Sequence, residues 1–171
     1  MTANPQPLAK GRVLVTLAGG GFLWQSLSVA RGLHDDFELH LVSAEPSHAY
    51  AGQVLPSVPF HVMSRITIMG DRHWWQRARN VVVGIRDARR IIATVRPDAI
   101  ICIATSMAVP LCLIGRLYGI TTVFVESITR VSKPSSTGTL LTRLRLCDRF
   151  YVQWPGAAKL YPNAVFKGSV L

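Results

Sequence analysis

The chain has 171 residues, 49% of them hydrophobic, with three cysteines and a formal net charge of +10. That size suits one compact domain able to bury about 70% of its unfolded surface, and the apolar content excludes a disordered chain. No stretch reaches the roughly 18 to 20 uninterrupted apolar residues of a membrane span, and the opening MTANPQPLAKGR lacks the apolar core of a signal peptide.

Residues 1–11 read as a flexible N-terminal segment, and residues 12–171 as a single domain. RVLVTLA, from Arg12, is a β-branched apolar run followed by Gly19, Gly20 and Gly21: strand, glycine turn, helix start. FLWQSLSVARGL then places Leu23, Leu27, Ala30 and Leu33 at helical spacing. Phe37 to Ala44 alternates as a second strand, EPSHAYAGQVLPSVP is a turn-rich loop, and Phe60 to Ser64 is a short third strand. Trp74 to Val95 is the longest helical pattern. Trp74, Ala78, Val81, Ile85, Ala88, Ile92 and Val95 form one apolar face expected to pack on the sheet. Arg72, Arg79, Arg86 and Arg90 fall about 180° away.

Pro97 stops that helix at Arg96, because proline disfavours α geometry in the residue before it. DAIICIA is a buried strand, and SMAVPLCLIGRLYG a helix that tolerates Pro110 in its first turn or at a kink. TTVFV is the next strand, STGTLLTRLRLC a helix with a Ser or Thr cap, DRFYVQ a strand and AAKLYP a short helix. AVFKGSVL closes the order as a final strand. Strands alternating with helices predict an α/β, Rossmann-like, doubly wound parallel sheet covered on both faces.

Residues 71–96 hold seven arginines and two aspartates, a net +5 and half the total charge. Either this is a solvated helix face, or it meets an anionic membrane or a diphosphate. Trp74 and Trp75 beside Arg72 and Arg77 suit a lipid headgroup layer, with Arg79 a further membrane-contacting candidate; packing of one indole in the core is the equal alternative. No RNA- or DNA-binding signature accompanies the charge, so nucleic acid is not an expected partner. Cys102, Cys112 and Cys147 lack CxxC spacing and leave one thiol over, which reads as buried thiols in a reducing compartment and not as a metal site.

Three loops fall at the edge where parallel sheets bind ligands. Gly19 to Gly21 would let phosphate approach a helix N-terminus, or is simply a tight turn; the GxGxxG spacing of a dinucleotide site is absent. Thr105 and Ser106 would bind diphosphate oxygens or cap the following helix. Glu126 ends a buried strand and is the candidate catalytic group, accepting a sugar hydroxyl or acting as a base. Ser127 follows it, and Arg130 with Lys133 would neutralise a diphosphate. The alternative is a Glu126–Arg130 salt bridge that fixes the loop.

RPDAI, FVESITRV, STGTLL, DRFYVQWP and LYPNAVFKG occur in an order that resembles one family. It is the membrane-associated subunit of the two-chain glycosyltransferases that extend polyprenyl-diphosphate-linked sugars, Alg14-like in eukaryotes and PssD-like in bacterial exopolysaccharide and capsule pathways. The resemblance covers Arg12 to Leu171 and is strongest from Arg96 onward. It implies the N-terminal-type, acceptor-binding lobe of a GT-B glycosyltransferase, similar to that of MurG. It further implies a polyprenyl-diphosphate-linked sugar acceptor and peripheral seating on the cytoplasmic face of an anionic membrane. An Alg13-like or PssE-like partner chain would bind the UDP-sugar donor for inverting transfer, and no cofactor or catalytic metal is implied. The family carries His after the glycines, where this chain has Phe22, and tends to carry glycine where Thr105 to Met107 stand. The competing expectation is a membrane-recruiting scaffold that supplies no catalytic group, and behind it a basic nucleic-acid-binding domain supported only by the charge.

Overall fold

The computed structural model describes residues 10–44, 55–64, 66 and 74–170, the side chains of Trp74 and Arg77 excepted. The expected flexible segment falls almost wholly on residues 1–9, outside the described ones. In chain order the elements are β1 (Arg12–Leu17), a 3-10 turn (Gly20–Phe22), α1 (Leu23–Leu33), β2 (Glu38–Ser43) and β3 (Phe60–Val62). Then come α2 (Trp74–Val95), β4 (Ala99–Ile103), α3 (Ala108–Leu117), β5 (Thr121–Val125) and α4 (Ser136–Arg143). β6 (Arg149–Val152), a 3-10 helix (Pro155–Leu160) and β7 (Val165–Phe166) complete the order. The strands form one seven-stranded sheet, ordered β3-β2-β1-β4-β5-β6-β7, and every neighbouring pair is parallel. This is the doubly wound sheet that the alternation of elements predicts. Strand order reverses between β1 and β4, the place where such sheets open a crevice at their carboxyl edge.

Period-two alternation divides the core. Leu14, Ile100, Cys102 and Phe124 face one side, under α2, α3 and α4. Val13, Val15, Leu17, Ile103 and Val125 face the other, under Leu27 and Ala30 of α1. Each such aliphatic, once fully buried, contributes roughly 1.5–3 kcal/mol. Two aspartates lock the amino edge. Asp98 Oδ2 accepts the Arg12 amide at 2.7 Å, tying β4 to β1, and Asp148 Oδ2 accepts the Thr122 amide at 2.7 Å and its hydroxyl at 2.9 Å, tying β6 to β5. The Asp of RPDAI and the Asp of DRFYVQWP are therefore strand clamps.

Three readings of the sequence change, while the helix stop at Arg96 and Pro97 stands as expected. The final strand is only Val165–Phe166; residues 167–170 leave the sheet. The helix at AAKLYP is 3-10. Arg96 adopts φ +50°, so the chain leaves α2 through a left-handed residue ahead of Pro97. The apolar face of α2 is buried only in its second half. Ala88, Ile92 and Val95 are covered, whereas Ala78 is exposed and Val81 is 46% exposed.

Candidate functional site

The loops after β1, β4 and β5 meet at the carboxyl edge. β1 ends at Leu17, and after Ala18 and Gly19 the chain turns through Gly20, whose φ of +64° favours glycine, into the 3-10 turn and α1. A side chain built at Gly20 or Gly21 would meet only open space, and neither helix start is capped by a side chain. Phe22, half-buried, follows the glycines. It has no group to move a proton.

After β4 the backbone passes through Ala104 at φ +48°. Thr105 Oγ1 accepts the Met107 amide at 3.3 Å, and Ser106 Oγ donates to the Ile66 carbonyl at 2.6 Å. Both hydroxyls thus have partners inside the protein. Thr105 lies just ahead of α3, whose N-cap position is Met107 and carries no side-chain cap.

Glu126 directly follows β5, and its amide donates to the Tyr151 carbonyl at 2.8 Å. It is 2% exposed. Its Oε1 accepts the Ser127 amide at 2.8 Å; its Oε2 accepts the Ser135 hydroxyl at 2.6 Å and the Tyr161 hydroxyl at 2.5 Å. Ser135 Oγ also accepts the Gly138 amide at 2.9 Å and caps α4. Burial, and then the hydrogen bond to Glu126, push the Tyr161 phenol up to about 12. Its ring lies 4.7 Å from that of Phe150. Gly138 has to be glycine here, because a Cβ would come within 2.6 Å of Glu126 Oε2.

The alternative expected for Glu126 does not form. Among the described residues the ion pairs are Arg12–Glu38, His34–Asp35, His40–Glu38 and Arg90–Asp87. The carboxylate turns inward to α4, while Arg130 and Lys133 are exposed on the loop beyond. Ser127 is buried, with its hydroxyl 2.9 Å from that of Thr129. Both oxygens of Glu126 already hold donors and almost none of it reaches solvent. Such a group orders a loop more readily than it takes a proton from a ligand.

Sequence reasoning missed three contributors: Gln25, Gln153 and Tyr161. The two glutamines are 1% and 3% exposed, and Tyr161 is 4% exposed. The signal available was a Gln inside each apolar pattern, LWQSL and YVQWP, where a buried amide needs partners.

On the helical face expected to meet lipid, Trp75 is 50% exposed, Val82 65% and Val83 36%, and Arg79, Arg86, Arg89 and Arg90 are exposed around them. A groove of about 520 Å³ runs along Val82, Ile85, Arg86, Arg89, Arg90 and Ala93. Arg72 and the Trp74 side chain lie outside the described residues. Among those residues no helix is long and apolar enough to cross a membrane.

Comparison with known proteins accords with this geometry. The family model described as "Oligosaccharide biosynthesis protein Alg14 like" matches residues 58–170. The human UDP-N-acetylglucosamine transferase subunit ALG14 is 29% identical over 143 residues, which cover 80% of this chain and 62% of that protein. The Schizosaccharomyces pombe subunit of the same name is 38% identical over 79 residues, 43% of this chain and 37% of the relative. The chain thus spans about three-fifths or less of these relatives. In fold it is similar to Acinetobacter baumannii MurG, with a TM-score of 0.70 at 16% identity, covering 94% of this chain and 45% of that one. It is also similar to UDP-N-acetylglucosamine 2-epimerase from Rickettsia bellii, with a TM-score of 0.66 at 14% identity and the same coverage.

Proposed function

The chain belongs to the Alg14-like family of oligosaccharide biosynthesis proteins, and from that premise we propose that it is the acceptor-binding subunit of a two-chain, UDP-sugar-dependent glycosyltransferase. The acceptor is a saccharide on polyprenyl diphosphate, presented at the cytoplasmic face of the membrane. An Alg13-like or PssE-like chain binds the donor, and the product enters an exopolysaccharide, capsule or glycolipid-precursor pathway. The observation that carries this reading is the family match over residues 58–170 joined to the carboxyl-edge cluster within it. The relatives' names, transferase subunits in each case, support the activity class.

In this reading the diphosphate meets the exposed Arg130 and Lys133 beside the open glycine turn Gly19–Gly21, with Thr105, Ser106 and Ser127 shaping the floor. Glu126 holds that floor in place. Trp75, Val82 and the arginines of α2 seat the protein on anionic lipid, each cation near the surface contributing about 1 kcal/mol. Arg72 and Trp74 precede this stretch in sequence.

One observation favours a second reading, in which the chain recruits lipid and partner but supplies no proton-transferring group: both carboxylate oxygens of Glu126 are occupied. Phe22, where the resemblance implies His, points the same way. The base then comes from the partner chain.

The test is direct binding of a short-chain polyprenyl-diphosphate saccharide. Arg130→Glu with Lys133→Glu should weaken binding at least about tenfold without moving the thermal midpoint, since both side chains are exposed. Unchanged affinity would remove the diphosphate from this loop.

A further inference from the structure

Gln25, in the first turn of α1, and Gln153, directly after β6, form a buried amide pair that joins three separate segments. Gln25 Oε1 accepts the Ile128 amide at 2.9 Å and Gln153 Nε2 at 2.7 Å. Gln153 Nε2 also donates to the Glu126 carbonyl at 2.8 Å. Gln153 Oε1 accepts the Val170 amide at 3.1 Å and the Ser169 hydroxyl at 3.3 Å. The orientation of both amides is forced. The Val170 N–H can only donate and the Glu126 carbonyl can only accept, so the oxygen of Gln153 faces one and its nitrogen the other; the Ile128 N–H fixes Gln25 in the same way. Val170 is held a second time, its carbonyl accepting the Ser28 hydroxyl at 2.6 Å. Gln153 is 3% exposed, so water cannot substitute for a lost partner without a rearrangement.

We propose that Gln153, acting through Gln25, is a positioning residue that makes the seating of segment 167–170 and the conformation of the Glu126–Arg130 loop a single event. Only an amide at position 153 serves. It must donate toward β5 and α1 while accepting from the last described residues, and neither a carboxylate nor a thioether does both. The segment that leaves the sheet after β7 therefore presses on the loop that carries Arg130 through one side chain. The relevance of this coupling to acceptor binding rests on the function proposed above. The coupling itself does not, and its test needs no enzyme activity.

The measurement is amide hydrogen exchange of the purified chain, which resolves local opening from global unfolding. In Gln153→Met the amides of Val170 and Ile128 should both exchange about tenfold faster, although only Val170 bonds Gln153 directly. Core amides such as that of Ile101 should change only as far as global stability does. In Gln153→Glu the protection of both amides, relative to their intrinsic exchange at each pH, should be low where the new carboxylate is ionised, facing two carbonyl oxygens, and higher where it is protonated. Protection in the wild-type protein should lack that pH dependence. Ser28→Ala, at an exposed position, protects against a variant that fails to fold: it frees the Val170 carbonyl alone and should still speed the Ile128 amide. Acceleration confined to Val170 in these variants would overturn the proposal. Coupled exchange in a protein that binds no lipid-linked saccharide would instead retire the functional reading and leave the relay standing.

Discussion

Glu126 shows at the residue scale why position and role separate. Its place at the end of a buried strand is legible in TTVFVES, but its partners are not: Ser135 and Tyr161 lie nine and 35 residues further on and arrive by tertiary packing. Glu126→Gln has no good orientation, because either an amide nitrogen faces two hydroxyl donors or it faces the Ser127 amide. The loss should be about 1–3 kcal/mol, lowering the thermal midpoint by about 2–4 °C per kcal/mol. A catalytic base would behave differently, with an unchanged midpoint and turnover down roughly 10²- to 10⁴-fold. Arg130→Ala should leave the midpoint in place, since no ion pair joins Arg130 to Glu126. Tyr161 adds a pH signature. Its folded value of about 12 lies above the ordinary 10, so the neutral phenol stabilises the fold fully below pH 10. That contribution fades as pH rises toward 12. Denaturation between pH 10 and 12 should be steeper in the wild type than in Tyr161→Phe; identical slopes would place the alkaline transition elsewhere.

Elements are set by pattern where both faces of the pattern have partners. Strands β1, β4 and β5 were legible because alternation along them matches two covered faces of the sheet. Helix α2 was legible in extent but not in burial. Periodicity marks a stripe without saying which turns of it meet a neighbour, and the stripe is covered from Ala88 onward but exposed at Ala78 and Val81. β7 is shorter than its apolar run because Val170 bonds Gln153 and Ser28 instead of extending the strand. The exposed half of α2 supports a prediction. Trp75→Ala with Val82→Asp should sharply reduce sedimentation with anionic vesicles at low salt and leave the thermal midpoint unchanged, because both sites are at least half exposed. Binding equal to wild type would make this face an ordinary solvated one. At α4, Gly138→Ala should cost about 1–3 kcal/mol, since its Cβ would strike the Glu126 carboxylate, Tyr161 and Phe150 together. A neutral substitution would mean the loop yields freely.

Across the whole molecule, the described fold covers 45% of the MurG chain it resembles and 62% of its human relative. The sheet presents one carboxyl edge with a glycine turn and exposed cations, while a transfer between two bound sugars needs a second surface to close on it. Family motifs made the lobe legible, and they also hid part of its physics, since Asp98 and Asp148 within them hold strands together and touch no ligand edge. The proposed function is that this chain binds the acceptor and works only with a donor-binding partner. It is tested by incubating the purified chain with a lipid-linked saccharide and labelled UDP-N-acetylglucosamine, alone and with an Alg13-like chain. No labelled product from the chain alone, and product from the pair that falls with Arg130→Glu and Lys133→Glu, is the expected result; robust transfer by the isolated chain would contradict it.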